Sequence, residues 1–149
     1  MSVEQKLGYF FFDKQILNRA LTRKAYALER RQQNEVCEDQ EIYRTLGDSV
    51  LKTVLVEFLI RAGASTRQEI TVKKIELERE EKLAAIGRRL GLGDFIRLGT
   101  GERKQNAGEQ PYVLAETVEA LIGGIYLDGG FGAARQTVKT LYHDDFPEL

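Results

Sequence analysis

Residues 111–130 read PYVLAETVEALIGGIYLDGG, the pattern of a helix buried on nearly every side. Pro111 suits a first helical turn, where its missing N–H costs nothing. Leu114, Val118, Leu121, Ile122 and Ile125 then recur at helical spacing. Asp128-Gly129-Gly130 ends the helix. Gly123 and Gly124 leave room for a neighbouring helix to come close. Only Glu116 and Glu119, three apart and so on one face, interrupt the apolar surroundings.

A second helix is expected over residues 40–62. Leu51, Val54, Leu55, Phe58 and Leu59 follow the i, i+3, i+4, i+7, i+8 pattern, and Gly63 closes it. Gly47 lies in mid-helix, where it costs about 1 kcal/mol relative to alanine. Close approach of another helix offsets that cost. Further helices are predicted over 2–8, stopped by Gly8, and from an Asp13 cap to Tyr26, with Ile16, Leu17, Ala20 and Leu21 inward. Residues 66–90 are helical in one or two pieces, capped by Thr66 and ended by Gly91 and Gly93. A last helix covers 131–143 with Phe131, Ala134, Val138 and Leu141 inward. Residues 28–39 and 98–110 read as polar loops, and the C-terminal end as loose. The aromatic run Tyr9-Phe10-Phe11-Phe12 reads as core or dimer packing. β-branched alternation is nearly absent, and the only prolines are Pro111 and Pro147. The expectation is an all-α fold, one domain over residues 1–149.

Composition bounds the function. The 149 residues carry 22 Lys and Arg against 23 Asp and Glu, a net charge of −1. That excludes a strongly basic nucleic-acid coat but allows a local basic patch beside an acidic site. No apolar run approaches the about 18 residues that span a bilayer, and the N-terminus lacks the pattern of a secretory signal. The single cysteine, Cys37, cannot form an internal disulfide, which points to a reducing compartment and a cytoplasmic protein. One histidine, His143, leaves little basis for a Cys–His nucleophile.

The acids carry the chemistry. Glu41 and Asp48 are two helical turns apart and share a face. An acid pair within an apolar helix, such as Glu116 and Glu119, is costly unless paired or metal-bound. Oxygen ligands from two helices suit Mg²⁺ or Mn²⁺, and such a site can activate water against a phosphodiester. The same spacing also fits acids that face solvent or pair with Arg and Lys.

The segment Glu41-Ile-Tyr-Arg-Thr-Leu-Gly-Asp48-Ser-Val-Leu51 resembles the signature of the ribonuclease III endonuclease domain. Residues Pro111–Gly130 resemble its second motif more closely. Ala20–Tyr26 and Leu83–Gly93 add further matches in the same order, so the resemblance covers nearly the whole chain. It implies an all-α, homodimeric endoribonuclease that cleaves double-stranded or structured RNA with Mg²⁺ or Mn²⁺. It also implies that Asp48, Glu116 and Glu119 are the metal-site carboxylates and that Glu41 is the other catalytic acid of the signature.

Three departures follow from the same resemblance. Glu116 stands where the family usually has Asp. Arg44 stands where the family has a metal-ligand Glu; it shares a face with Glu41 and Asp48, can bridge either, and cannot bind a cation. Thr45 replaces a Phe that plugs into the partner subunit. The double-stranded-RNA-binding domain that commonly follows is not seen, so RNA contact falls to Lys73, Lys74, Arg88, Arg89, Arg97, Arg103 and Lys104. Such binding is weak and salt-dependent. Arg44 also motivates an alternative: an impaired family member acting as an RNA-binding, ribosome-associated or protein-interaction module.

Overall fold

The long apolar stretch becomes the central helix of the molecule. In the computed structural model, which describes residues 1–149, the helices run α1 (Val3–Leu7), α2 (Lys14–Ala20), α3 (Lys24–Gln32), α4 (Glu41–Arg61), α5 (Arg67–Glu78), α6 (Glu80–Arg89), α7 (Thr100–Lys104), α8 (Pro111–Gly129) and α9 (Phe131–Leu141). Short 3₁₀ turns at Leu92–Asp94 and Ala107–Glu109 flank α7. There are no strands. No helix is long and apolar enough to cross a membrane.

Helices α2, α4, α6 and α9 all pack on α8. That surround explains why α8 is apolar on nearly every side: Val113, Leu114, Val118, Leu121, Ile122 and Ile125 are all buried. One cluster of 32 buried apolar residues extends from Val3 to Phe146. The α4–α8 crossing has no side chain at its centre. A Cβ on Gly47 would lie 1.7 Å from the Glu119 carbonyl oxygen, and one on Gly123 would lie 2.0 Å from the Tyr43 carbonyl oxygen. The two backbones touch because both residues are glycine.

Local signals hold where the sequence places them. The Asp13 side chain accepts from the Gln15 N–H and the Thr66 hydroxyl from the Glu69 N–H. Gly8 ends α1 in the left-handed region at φ 71°. The 66–90 segment breaks at Arg79, whose ψ of 160° divides α5 from α6.

Several expectations are corrected. The helix from Asp13 to Tyr26 is two helices, because residues 21–23 leave helical geometry to pair with Arg97. Arg97 N–H donates to Leu21 O at 2.8 Å, and Arg23 N–H donates to Arg97 O at 3.0 Å. The polar segment 28–39 is helical as far as Gln32. Its Glu29 carboxylate accepts from the Thr100 N–H at 2.8 Å and hydroxyl at 2.6 Å, which ties α3 to the start of α7. The 98–110 loop therefore contains a helix. The C-terminal end is not loose, since Phe146 is buried edge-on against Phe58 at 5.5 Å. Phe131, expected inward, is exposed. Of the aromatic run only Phe11 is buried, while Phe10 and Phe12 face solvent.

Candidate metal centre

The glycine crossing places the acids. Asp48 follows Gly47 on α4, and Glu119 supplies the carbonyl that Gly47 touches on α8. Backbones this close bring the two carboxyl groups within hydrogen-bond reach. The Glu119 side chain is 14% exposed and that of Asp48 44%. Burial, then the hydrogen bond and charge of Asp48, push the Glu119 carboxyl well above the usual carboxylate range. Burial works in the same direction on Asp48, but hydrogen bonds from Lys52 and Glu119, with the charges of Lys52 and Arg44, outweigh it and hold Asp48 low. Two adjacent carboxylates cannot both ionise freely, so they titrate as a pair.

Two cations, Lys52 and Arg44, flank this pair, and a third, Arg23, holds the neighbouring Glu116. Lys52 Nζ lies 3.0 Å from Asp48 Oδ1 and 3.1 Å from Glu78 Oε2. Arg23 Nη1 donates to Glu116 Oε1 at 2.7 Å and to Gln40 Oε1 at 3.2 Å, and its Nε donates to Glu102 at 3.3 Å. Gln40, itself buried, donates to Ala20 O at 2.7 Å, so Arg23 is built into the fold. Arg44 reaches neither Glu41 nor Asp48 as an ion pair. It crosses to α8, with Nη1 3.4 Å from Glu116 Oε2 and Nε 4.0 Å from Glu119 Oε1.

The structure thus brings Asp48 and Glu119 together and turns Glu116 toward two guanidinium groups. Glu41 points outward, 3.9 Å from Lys24 Nζ. No three of the acids stand together as a metal-holding group. The Asp48–Glu119 pair by itself is an oxygen donor set from two crossing helices. It fits a hydrated divalent cation, which binds through one or two carboxylates and keeps several waters.

The basic residues named from the sequence do not form one patch. Lys73 and Lys74 are held on α5 by Glu69 and Glu78 at 3.0 and 3.6 Å. Arg89 donates to Leu141 O at the end of α9, and Arg88 sits beside it on α6. The Arg97 backbone pairs with Leu21 and Arg23 while its guanidinium lies over the Tyr26 ring, and Arg103 and Lys104 follow Glu102 on α7. Sequence reasoning missed Lys52, Arg23, Gln40, Glu78 and Glu102. Only Lys52 carried a local signal, four residues after Asp48.

Comparison with known proteins gives a consistent result. The chain matches a family model described as Ribonuclease-III-like over residues 13–146. It is 33% identical over 141 residues to ribonuclease 3 of Syntrophotalea carbinolica, covering 94% of this chain and 60% of that protein. Identity to ribonuclease 3 of Caldanaerobacter subterraneus is 34% over 148 residues, covering 99% and 64%. The chain thus spans less than two thirds of these relatives' length. The nuclease domain of ribonuclease III from Campylobacter jejuni, in a structure concerned with flexibility in the region of dimer formation, superimposes with a TM-score of 0.87. It is 32% identical, covering 97% of this chain and 96% of that one.

Proposed function

This chain belongs to the ribonuclease III family, and we propose that it is an endoribonuclease that cleaves double-stranded or structured RNA with the help of Mg²⁺ or Mn²⁺. The observation that carries the reading is the Asp48–Glu119 pair, held together by the Gly47–Gly123 contact. Asp48 and Glu119 would hold the divalent ion, which when bound would supply Lewis-acid activation of a phosphodiester. Glu116 has a different part: it holds Arg23 and Arg44 in place. Lys52 balances Asp48 and Glu78 at the other side of the pair. Glu41, out on the rim beside Lys24, would act on solvent or substrate rather than on the ion.

Residues 1–149 act as one catalytic unit in this reading, and the unit pairs with a second copy. Ile42, Thr45, Ser49, Thr53 and Ile60 fall on one exposed face of α4, and Val72 and Ile75 are exposed on the adjoining α5. Ile42, Ile60, Val72 and Ile75 give that face its exposed apolar surface, and Thr45 contributes little to it. The free Cys37 fits a cytoplasmic site of action.

The test is incubation of labelled duplex RNA with the purified protein at low salt, with Mg²⁺ and then Mn²⁺. Cleavage is expected, and Asp48→Asn is expected to abolish it. Cleavage that survives Asp48→Asn refutes the assignment. Light scattering at tens of micromolar should report a dimer, and a monomer there refutes the pairing.

A further inference from the structure

Arg44 differs from the other cations of the site in one respect. Arg23 has its donors engaged by Glu116, Gln40 and Glu102, and its side chain is 14% exposed. Lys52 donates to two carboxylates. Arg44 makes no side-chain hydrogen bond; its nearest acids stand at 3.4 and 4.0 Å, and its side chain is 44% exposed. A guanidinium carries five N–H donors in a planar fork. Here none of those donors is used in a hydrogen bond, and the half-exposed fork is held over Glu116 and Glu119 by charge attraction.

The acids beneath lie deeper than the cation above them. A polyanion approaching this surface therefore meets Arg44 before Glu119. Without Arg44 the same approach would bring a phosphate against the carboxylates with nothing to offset the repulsion on that side. A guanidinium fork matches two phosphate oxygens at once, which an ammonium cannot do.

We propose that Arg44 binds a backbone phosphate of the RNA directly, beside the Asp48–Glu119 pair. This rests on the reading of the site as one that cleaves RNA. Arg44 thus has two opposed effects. It attracts the nucleic acid, and it competes with a divalent cation for the field of Glu119. Removing it weakens RNA binding and strengthens cation binding. A guanidinium that merely blocked the site would show only the second effect.

The measurement is filter binding of a duplex RNA in EDTA, with salt varied from low to physiological concentration. One phosphate contact contributes about 0.9 to the slope of log K against log salt, or about tenfold in affinity near 50 mM. Arg44→Gln is expected to lower the slope by about one and the affinity by about tenfold. Arg44→Lys is expected to keep the slope and lose part of the affinity. Arg61→Gln, about 25 Å along the same helix, is expected to change neither. Calorimetry with Mg²⁺ alone should show tighter binding to the Arg44→Gln protein. Equal slopes for wild type, Arg44→Gln and Arg61→Gln overturn the proposal, as does a wild type that binds no RNA in EDTA at low salt. Cleavage is scored separately with Mg²⁺. A wild type that fails to cut, yet shows the slope change, refutes the hydrolytic reading and leaves the phosphate contact standing.

Discussion

Replacing Gly47 by alanine should destabilise the protein by about 2–3 kcal/mol, because overpacking a tight core typically costs about 1–3 kcal/mol and occasionally more. The added methyl carbon would stand 1.7 Å from the Glu119 carbonyl oxygen and 2.7 Å from its carbon. A relaxed carbon–oxygen contact needs about 3.3 Å or more, so the α4–α8 gap must open by about 1.5 Å. Both groups are backbone, and no rotamer change relieves the clash. The whole central interface moves instead, including Tyr43, Val50, Leu121 and Ile122, which are buried around it. Alanine's better helix propensity returns about 1 kcal/mol, so a net of about 2–3 kcal/mol corresponds to a gross cost of about 3–4 kcal/mol, at or just beyond the top of the overpacking range, as a clash of two backbones requires. For a chain of this size 1 kcal/mol shifts Tm by about 2–4 °C, so Tm should fall by about 5–10 °C. Circular-dichroism melts and urea titrations measure it, with the m-value unchanged. Gly132→Ala is the control: it lies in α9 with nothing within 4 Å of its added carbon. That variant should gain up to about 1 kcal/mol. A Gly47→Ala protein as stable as wild type would refute the claim that the glycine contact sets the helix spacing. It would also remove the reason given for the position of Asp48 beside Glu119.

Three further outcomes follow from the charges. Arg44→Glu should raise divalent affinity by about tenfold, as a unit charge near 4 Å is worth about 1 kcal/mol even in water; calorimetry showing no gain refutes Arg44 as a competitor. Arg23→Ala should lower stability by about 2 kcal/mol, because it strips the partner from Glu116 and from the buried Gln40; an unchanged urea midpoint contradicts this. Hydrogen bonds from Arg135 and Arg61 hold the Glu57 carboxyl down at about 2, against an ordinary 4.5. A depressed folded-state value means the stabilisation is complete above pH 4.5 and is lost as pH falls toward 2. The side chain is 29% exposed, so solvent screening limits the effect to about 1 kcal/mol. Glu57→Gln should flatten stability over that acid range alone, and an equally steep acid limb in the variant refutes the assignment.

Elements with local causes were legible in the residues alone. A cap such as Asp13 or Thr66 acts on a backbone N–H two or three residues away. The apolar faces of α4 and α8 repeat within four residues, so their burial was legible. Gly47 and Gly123 stood out because a helix interior disfavours glycine unless another backbone comes near. The acids themselves were legible as same-face pairs, Glu41 with Asp48 and Glu116 with Glu119, and the resemblance singled out Asp48, Glu116 and Glu119.

Contacts between residues far apart in the chain fixed the rest. The helix expected from Asp13 to Tyr26 breaks because Arg97, more than seventy residues later, pairs with residues 21–23. Helix α3 has few apolar residues to announce it and is tied down through Glu29 to Thr100. Glu116 and Glu119 look alike in sequence, three apart on one face. Their environments part them: Glu119 meets Asp48 at the glycine crossing, while Glu116 meets Arg23, which is 93 residues away. Which of the two acids meets Asp48 and which meets an arginine is set by the α4–α8 crossing and by the turn before α3 that carries Arg23. Helical periodicity describes contacts within one helix and cannot carry that information.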